Sequence, residues 1–353
     1  MPDDIRTSDS EAADKILATG LRNRWYCIAP SALAADKPVP LTRLGEKLVL
    51  WRDGEGKARV MQDRCPHRNA ALSKGFVQNG LLTCGYHWLQ IDHGGCVAAV
   101  PGFPSSPLVG QQLVRTYPTV EHYQGIWTYF GDAQHPEPLP LTMPDELTSP
   151  DWAGYLCSST WKANYLQVFD NVADPMHTPF LHAKTFTMAY GEKADEVVVA
   201  DTPTGMRVTR KHDPMSNIEE AHFNDTGAMW FRVGVFYPKA AGPGGCLRII
   251  ATACPIDAGA TQINFWRLRQ VSGWQRNMWR FMFRMRLEQF AWEAIEEDRE
   301  ILESLAPWPP PAENLYQHDL GVARLRRLLR REAEAQAQAL SGRPSTKTWE
   351  ASR

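Results

Sequence analysis

The 353-residue sequence predicts an α+β protein of two domains: an N-terminal all-β domain, then an antiparallel sheet closed by a long C-terminal helix. Three observations carry this. Short β-rich runs, punctuated by Gly and Pro, fill the region from Trp25 to about residue 131. The proline-dense stretch AQHPEPLPLTMPDELTSP then forbids a regular element. Beyond it, strand-like runs precede a continuous helical pattern from about Trp274 to Leu305.

Residues 1–21 read as an N-terminal extension, acidic and polar, loosely ordered with at most one short helix. They hold no apolar signal-peptide core. Residues 22–131 form the β domain, in which KLVLWRDGEGKARVMQDRC is two β-rich runs around Asp53-Gly54-Glu55-Gly56, a hairpin signal. Residues 132–150 are the Pro-rich linker, 151–340 the second domain, and 341–353 a tail. In the second domain WKANYLQVFDNVADPMHTPFLHA has helical spacing. EVVVADTPTGMRVTRKHD, AMWFRVGVFYP, GCLRIIATACPID and TQINFWRLRQV read as successive antiparallel strands, and PWPPP stops the long helix. DLGVARLRRLLRREAEAQAQAL is a basic amphipathic helix, read as a solvated face rather than a membrane or partner surface.

Bulk composition excludes several classes. Hydrophobic residues make up 43% and charged residues 22%, a globular balance. Lys plus Arg is 38 against 40 Asp plus Glu, without the basic excess of a nucleic-acid binder. No apolar run is long enough to span a bilayer, so the expected compartment is the cytoplasm. Seven cysteines, odd in number and irregular in spacing, make a poor disulfide framework.

The chemistry concentrates in two stretches. The first, RCPHRNAALSKGFVQNGLLTCGYHW, holds Cys65-Pro-His67 and Cys84-Gly-Tyr-His87. Cys2His2 can hold structural zinc, but zinc fingers pair Cys with Cys and His with His. Here each loop offers one of each. That suits a two-iron cluster in which one iron takes both thiolates and the other both imidazoles. The pattern, with CPHR, CGYHW and DHGG around it, resembles a Rieske [2Fe–2S] centre. One departure is that Trp88 and Leu89 stand where a Gly-Trp pair is common in that family.

The second stretch is FDNVADPMHTPFLH. Asp174 and His177, three apart, would share a helix face. His182 comes within reach if the helix loosens after Thr178-Pro179. Two imidazoles and a carboxylate on one side of a metal make a non-heme Fe(II) site that activates oxygen. Asn171, Asp174, His177 and His182 are similar to the motif Asn-x-x-Asp-x-x-His-x-x-x-x-His of the Rieske oxygenases. That resemblance nominates Asp298, in EDREILE, as the third ligand, a choice that spacing leaves open among Glu293, Glu296, Glu297 and Glu300.

The resemblance covers nearly the whole chain and implies a Rieske domain followed by a helix-grip catalytic domain. It implies a [2Fe–2S] cluster and one mononuclear Fe(II) per chain. It makes Asp174 a bridge from His177 to a neighbouring subunit's cluster histidine, the counterpart of His87, within a homotrimer, and places Asn171 beside the iron. No dinucleotide motif is evident. NAD(P)H would therefore act through a separate reductase, with or without a ferredoxin, and Arg64, Arg68 and Lys74 could attract an acidic donor. The branch resembled is that of vanillate O-demethylase and dicamba monooxygenase, which implies monooxygenation of a small aromatic substrate, with ring cis-dihydroxylation as the runner-up. A bare electron carrier or zinc protein is the alternative of another class. Phe223, Trp230, Phe231, Phe236 and Phe265 read together as core rather than substrate pocket.

Overall fold

The computed structural model describes residues 2–35, 37–132, 135, 137–185, 193–212, 216–223, 227–236 and 246–341. The N-terminal stretch is one helix, α1 (Pro2–Thr19), longer than its polar sequence suggests. Its inner positions Ala13 and Leu17 are buried at helical spacing. A polar face toward water and a narrow apolar seam give little sequence signal but suffice against a partner helix.

The β domain is three small antiparallel sheets. β1 (Trp25–Pro30) pairs with β11 (Gly125–Tyr129), which pairs with β10 (Thr119–His122). β2 (Val39–Arg43), β3 (Glu46–Arg52), β4 (Ala58–Gln62) and β9 (Thr116–Tyr117) form the second sheet. β5 (Phe76–Gln78), β6 (Leu81–Thr83), β7 (Gln90–Ile91) and β8 (Val97–Ala99) form the third. The expected β3–β4 hairpin is present. Asp53 Oδ1 accepts from the N–H groups of Glu55 and Lys57 at 2.9 and 3.0 Å, and Gly56 takes φ +76°.

The second domain is a seven-stranded antiparallel sheet in the order β12-β18-β17-β16-β15-β14-β13. Its strands are β12 (Trp152–Trp161), β13 (Val197–Thr202), β14 (Gly205–Arg210), β15 (Ser216–His222), β16 (Trp230–Phe236), β17 (Cys246–Asp257) and β18 (Ala260–Gln270). Neither β12 nor β15 is evident from sequence pattern. WAGYLCSSTW is rich in small residues, and SNIEEAH lacks a clean alternation; both are held by neighbouring strands. Between β12 and β13 lie α2 (Tyr165–Val172) and α3 (Thr178–Leu181). The long helix is α4 (Gly273–Met282) and α5 (Glu288–Ser304), joined by a π-helical turn over Phe283–Leu287.

α6 (Leu320–Leu340) buries Leu325, Leu329, Ala333 and Ala337 at every fourth position, and α1 packs on it. Three of its five arginines pair within the chain, while Arg327 and Arg331 are exposed. Arg326 Nη2 lies 2.7 Å from Asp170 Oδ2, Arg324 Nη2 lies 2.9 Å from Asp201 Oδ1, and Arg330 pairs with Asp14 and Glu334. No helix among the described residues is long and apolar enough to cross a membrane. Beyond Ser341 the expected tail lies outside the described residues.

The two domains share a core that joins Tyr26, Ile28, Leu48 and Leu50 to Cys254, Ile263 and Phe265. Trp127 stacks on Trp266 at 5.8 Å, and Asn264 Nδ2 donates to the Cys27 carbonyl at 2.6 Å. Cys65 and Cys84 belong to a separate, smaller core with Trp51, Leu72 and Val97. The Cys/His loops thus sit on a satellite core rather than at the domain junction.

Candidate metal centres

The helix α2 starts where Asn164 caps it. Its side chain accepts from the Leu166 N–H at 3.0 Å, and Gln167 reaches back to the Asn164 N–H at 3.1 Å. The helix ends at Val172, and Pro179 lies at the start of α3. The break therefore falls before His177. Asp174 and His177 share a turn between two helices, not one helix face, and Pro179 opens the second helix instead of distorting the first. In this turn His177 Nδ1 donates to the Asp174 backbone carbonyl, and the Asp174 carboxylate Oδ2 lies 3.9 Å from the same nitrogen.

α5 brings the acid. Asp298 Oδ1 lies 3.6 Å from His177 Nε2 and 3.3 Å from His182 Nε2. One ligand atom from each residue lies within 4.8 Å of the others, close enough to hold a single metal ion. Of the rival acids, Glu296 pairs with Arg299, and Glu297 Oε2 lies 2.7 Å from His182 Nδ1. Asn171 Nδ2 donates to Asp298 Oδ1 at 3.2 Å, so Asn171 touches the cluster through its carboxylate.

The donor set fits a cation. A carboxylate only accepts, so Glu297 makes Nδ1 of His182 the donor and leaves Nε2 a lone pair when the ring is neutral. That nitrogen is buried without a hydrogen-bond partner and faces a carboxylate oxygen. Two lone pairs in that arrangement repel unless a proton or metal stands between them. Burial pushes the His182 pKa down, but Asp298 and Glu297 outweigh it and hold it above the ordinary value. Burial raises the Asp174 carboxyl, with His177 pulling the other way.

The Cys/His loops are structural twins. Cys65 N–H donates to the Ala70 carbonyl and Asn69 N–H to the Cys65 carbonyl; Cys84 pairs identically with Leu89 and Trp88. Asn69 and Trp88 both take a left-handed φ, +62° and +60°. Asn tolerates this conformation; a Trp there stores strain on the order of 1–3 kcal/mol. The position where Trp88 departs from the expected glycine is thus the one that favours glycine, and a contact with Phe76 at 5.3 Å supports the ring. The two thiols are buried and the two imidazoles exposed, with ring centroids 4.6 Å apart. Burial pushes the Cys65 thiol up to about 11, a penalty that a bound cation would offset by favouring the thiolate. Two sulfurs below and two imidazoles above fit a cluster with one sulfur-ligated and one nitrogen-ligated iron.

Comparison with known proteins agrees with this division. Residues 24–118 match the Rieske [2Fe-2S] domain, and residues 161–335 match the vanillate O-demethylase oxygenase C-terminal domain. A putative toluene-4-sulfonate monooxygenase system iron-sulfur subunit, TsaM2 of Comamonas testosteroni, is 30% identical over 253 residues, 69% of either chain. The chain belongs to the Rieske non-heme iron oxygenases.

Dicamba O-demethylase, oxygenase component, of Stenotrophomonas maltophilia is 34% identical over 185 residues, 52% of this oxygenase and 54% of that protein. The solved structure of NdmA from Pseudomonas putida CBB5 superposes with a TM-score of 0.73 at 21% identity, covering 95% of this chain and 100% of that one. The first two of these relatives are named as oxygenase components or iron-sulfur subunits of multicomponent systems, and the protein is an oxygenase of that family.

In this oxygenase the three convergent residues His177, His182 and Asp298 open onto a cavity between the sheet and α5, whose walls include Trp161, Phe169, Phe231, Ile263 and Phe265. Phe231 and Phe265 line it while also belonging to the buried core, so for these two the reading as core holds but the exclusion from the pocket does not. Phe223 and Trp230 are buried outside it, and the Phe236 side chain lies outside the described residues. The residues Thr185 and Arg267, and the role of Glu297 as a partner of His182, were not foreseen. Glu297 and Thr185 form a chain to His182, with Thr185 Oγ1 donating to Glu297 Oε2 at 2.7 Å. Arg267 lines the cavity, and its signal was an arginine inside the buried strand sequence INFWRLR.

Proposed function

We propose that this oxygenase carries out monooxygenation, as hydroxylation or oxidative removal of an O- or N-methyl group, on a small aromatic substrate. The observation that carries the reading is the convergence of His177, His182 and Asp298 on the wall of an apolar, aromatic-lined cavity. These three would hold one Fe(II), and Cys65, Cys84, His67 and His87 would hold the cluster, thiolates on one iron and imidazoles on the other. When bound, the cluster supplies electrons and the mononuclear iron supplies oxygen activation.

The chain's own residues prepare the site. Glu297 and the Asp174 carbonyl each hold one imidazole by Nδ1, so that both Nε2 atoms face Asp298. Asn171 holds the Asp298 carboxylate by an N–H. Apolar walls exclude water and offer an aromatic ring flat contacts.

We infer further that the working unit is a homotrimer in which Asp174 meets the partner subunit's His87. Support comes from the exposed His87, from an Asp174 side chain 26% exposed, and from the cluster loops' separation from the domain junction. The carboxylate would join the two imidazoles and shorten the electron path. Arg64, Arg68 and Lys74, all exposed around the cluster loops, would receive an acidic electron donor.

The test is turnover under labelled O2 with the reconstituted system, across a panel of methoxy- and methyl-substituted aromatics. One labelled oxygen in the product is expected; two would assign dihydroxylation. Asp298→Ala should keep the cluster's visible spectrum, lose one iron per chain and lose turnover. Full iron content and turnover in that variant would refute the metal assignment. Sedimentation equilibrium decides the trimer.

A further inference from the structure

We propose that α4 and the π-helical turn after it form a membrane-surface contact, a basic and apolar face that docks this oxygenase on an anionic lipid bilayer. The inference goes beyond the reaction and does not depend on what enters the cavity.

The stretch reads GWQRNMWRFMFRMRL, with four arginines and no acid. Its inward side is already packed. Trp279 and Phe283 are buried with Ala153 and Val271, and both stack on Tyr155, at 5.7 and 5.0 Å. A second apolar face remains. Trp274, Met278, Phe281, Met282 and Met285 recur at helical spacing, and all five are exposed, Trp274 by 72%, Phe281 by 62% and Met285 by 70%. Single exposed apolar side chains are ordinary; five on one helix face mark a contact surface.

Charge chooses the occupant. Arg280 and Arg284 lie one turn apart beside this face; both are exposed, and among the described residues neither pairs with an acid. They frame a cleft of about 480 Å3 lined also by Gln124, Gly154, Tyr155 and Phe281, and the Arg284 guanidinium carbon lies 5.4 Å from the Tyr155 ring centroid. Two cations at the mouth of an open cleft suit lipid phosphates, while the neighbouring apolar side chains suit the acyl boundary beneath the headgroups. An indole such as that of Trp274 favours this depth. The α6 arginines Arg324, Arg326 and Arg330 differ, because acids of the chain neutralise them. A second copy set face to face on α4 would oppose arginine to arginine. A fluid bilayer takes up side chains that protrude from a convex helix without needing a matching pocket. The helix is too short to span a bilayer and would lie along its surface.

The iron-loaded protein is sedimented with vesicles of phosphatidylcholine alone and of phosphatidylcholine with an equal amount of phosphatidylglycerol. Binding to the anionic vesicles is expected to be stronger by about tenfold or more, and to weaken as salt rises. Arg280→Glu combined with Arg284→Glu should erase that preference. Trp274→Ser combined with Met278→Ser should weaken anionic binding by about tenfold and leave its salt dependence as it was. All four side chains are exposed, so both double variants should keep the melting temperature and the cluster spectrum. Should one of them not fold, the other decides together with the comparison of the two vesicles. No preference for anionic vesicles in the unaltered protein, or a preference that survives in the folded charge-reversed variant, overturns the proposal. So does an unaltered protein that ignores both vesicles while sedimentation equilibrium shows its assembly dissociating in the Trp274 and Met278 variant, which would assign the face to a second copy. Each of these results leaves the oxygenase reading standing, since that depends on iron content and turnover in Asp298→Ala.

Discussion

Glu297 Oε2 and His182 Nδ1 lie 2.7 Å apart, and this contact decides which nitrogen of His182 faces Asp298. Neighbours in sequence, Glu297 and Asp298 take opposite sides of one imidazole: the first orients it and the second would share its metal. Thr185 donates to the same Glu297 oxygen and holds the carboxylate in place. Glu297→Ala should lower iron affinity by about 10–100-fold, the usual cost of losing such an orienting partner. Glu297→Gln, which keeps an acceptor without the charge, should lose less. Iron retained after dialysis against graded chelator checks both, with the cluster spectrum unchanged.

Asp174 does two things with different atoms. Its backbone carbonyl holds His177, while its carboxylate accepts from the Met176 N–H at 2.7 Å and reaches the surface. Asp174→Asn preserves the carbonyl and removes the charge. We expect normal iron content and a normal cluster spectrum, but reoxidation of the reduced cluster by O2 and substrate slowed by at least about tenfold. Single-turnover stopped flow reads this rate directly. An unchanged rate would remove Asp174 from the electron path.

Gly75, just after the first Cys/His loop, lies against the backbone at the start of the second. A Cβ there would lie 1.9 Å from the Thr83 carbonyl oxygen, and a Cβ at Gly85 would lie 2.8 Å from the Lys74 carbonyl oxygen. Backbone cannot yield as a side-chain tip can. Gly75→Ala should destabilise the β domain by about 1–3 kcal/mol and lower cluster occupancy. Thermal melting and the visible absorbance per chain report the two effects. Gly45, with nothing near its Cβ position, is the control for clash, although its φ of +73° still favours glycine.

Arg68 and Lys74 stand exposed beside the cluster loops, and Arg68 lies 5.6 Å from the Tyr86 ring centroid. Reversing both charges should slow electron delivery from an acidic donor and flatten its dependence on ionic strength. Cluster reduction followed at several salt concentrations is the measurement. Identical rates and salt slopes would mean that the donor docks elsewhere.

Much of this protein is legible in its linear order because metal ligands cannot be exchanged for similar residues. Cys65-x-His67 and Cys84-x-x-His87 announce a mixed thiolate–imidazole set, since softness and spacing admit few other chemistries. The β-to-α change of texture and the long helix up to PWPPP are equally visible, because period and proline act locally. Sequence order could not choose among five acids between Glu293 and Glu300, because a helix presents all of them and only the opposing surface selects. Tertiary packing turned Asp298 toward both imidazoles, Glu297 toward His182 and Glu296 toward Arg299. It also set the helix break before His177, made strands of WAGYLCSSTW and SNIEEAH, and buried Arg267 in the cavity wall. These outcomes depend on groups far apart in the chain, and pairwise distance in space is what a one-dimensional pattern does not carry.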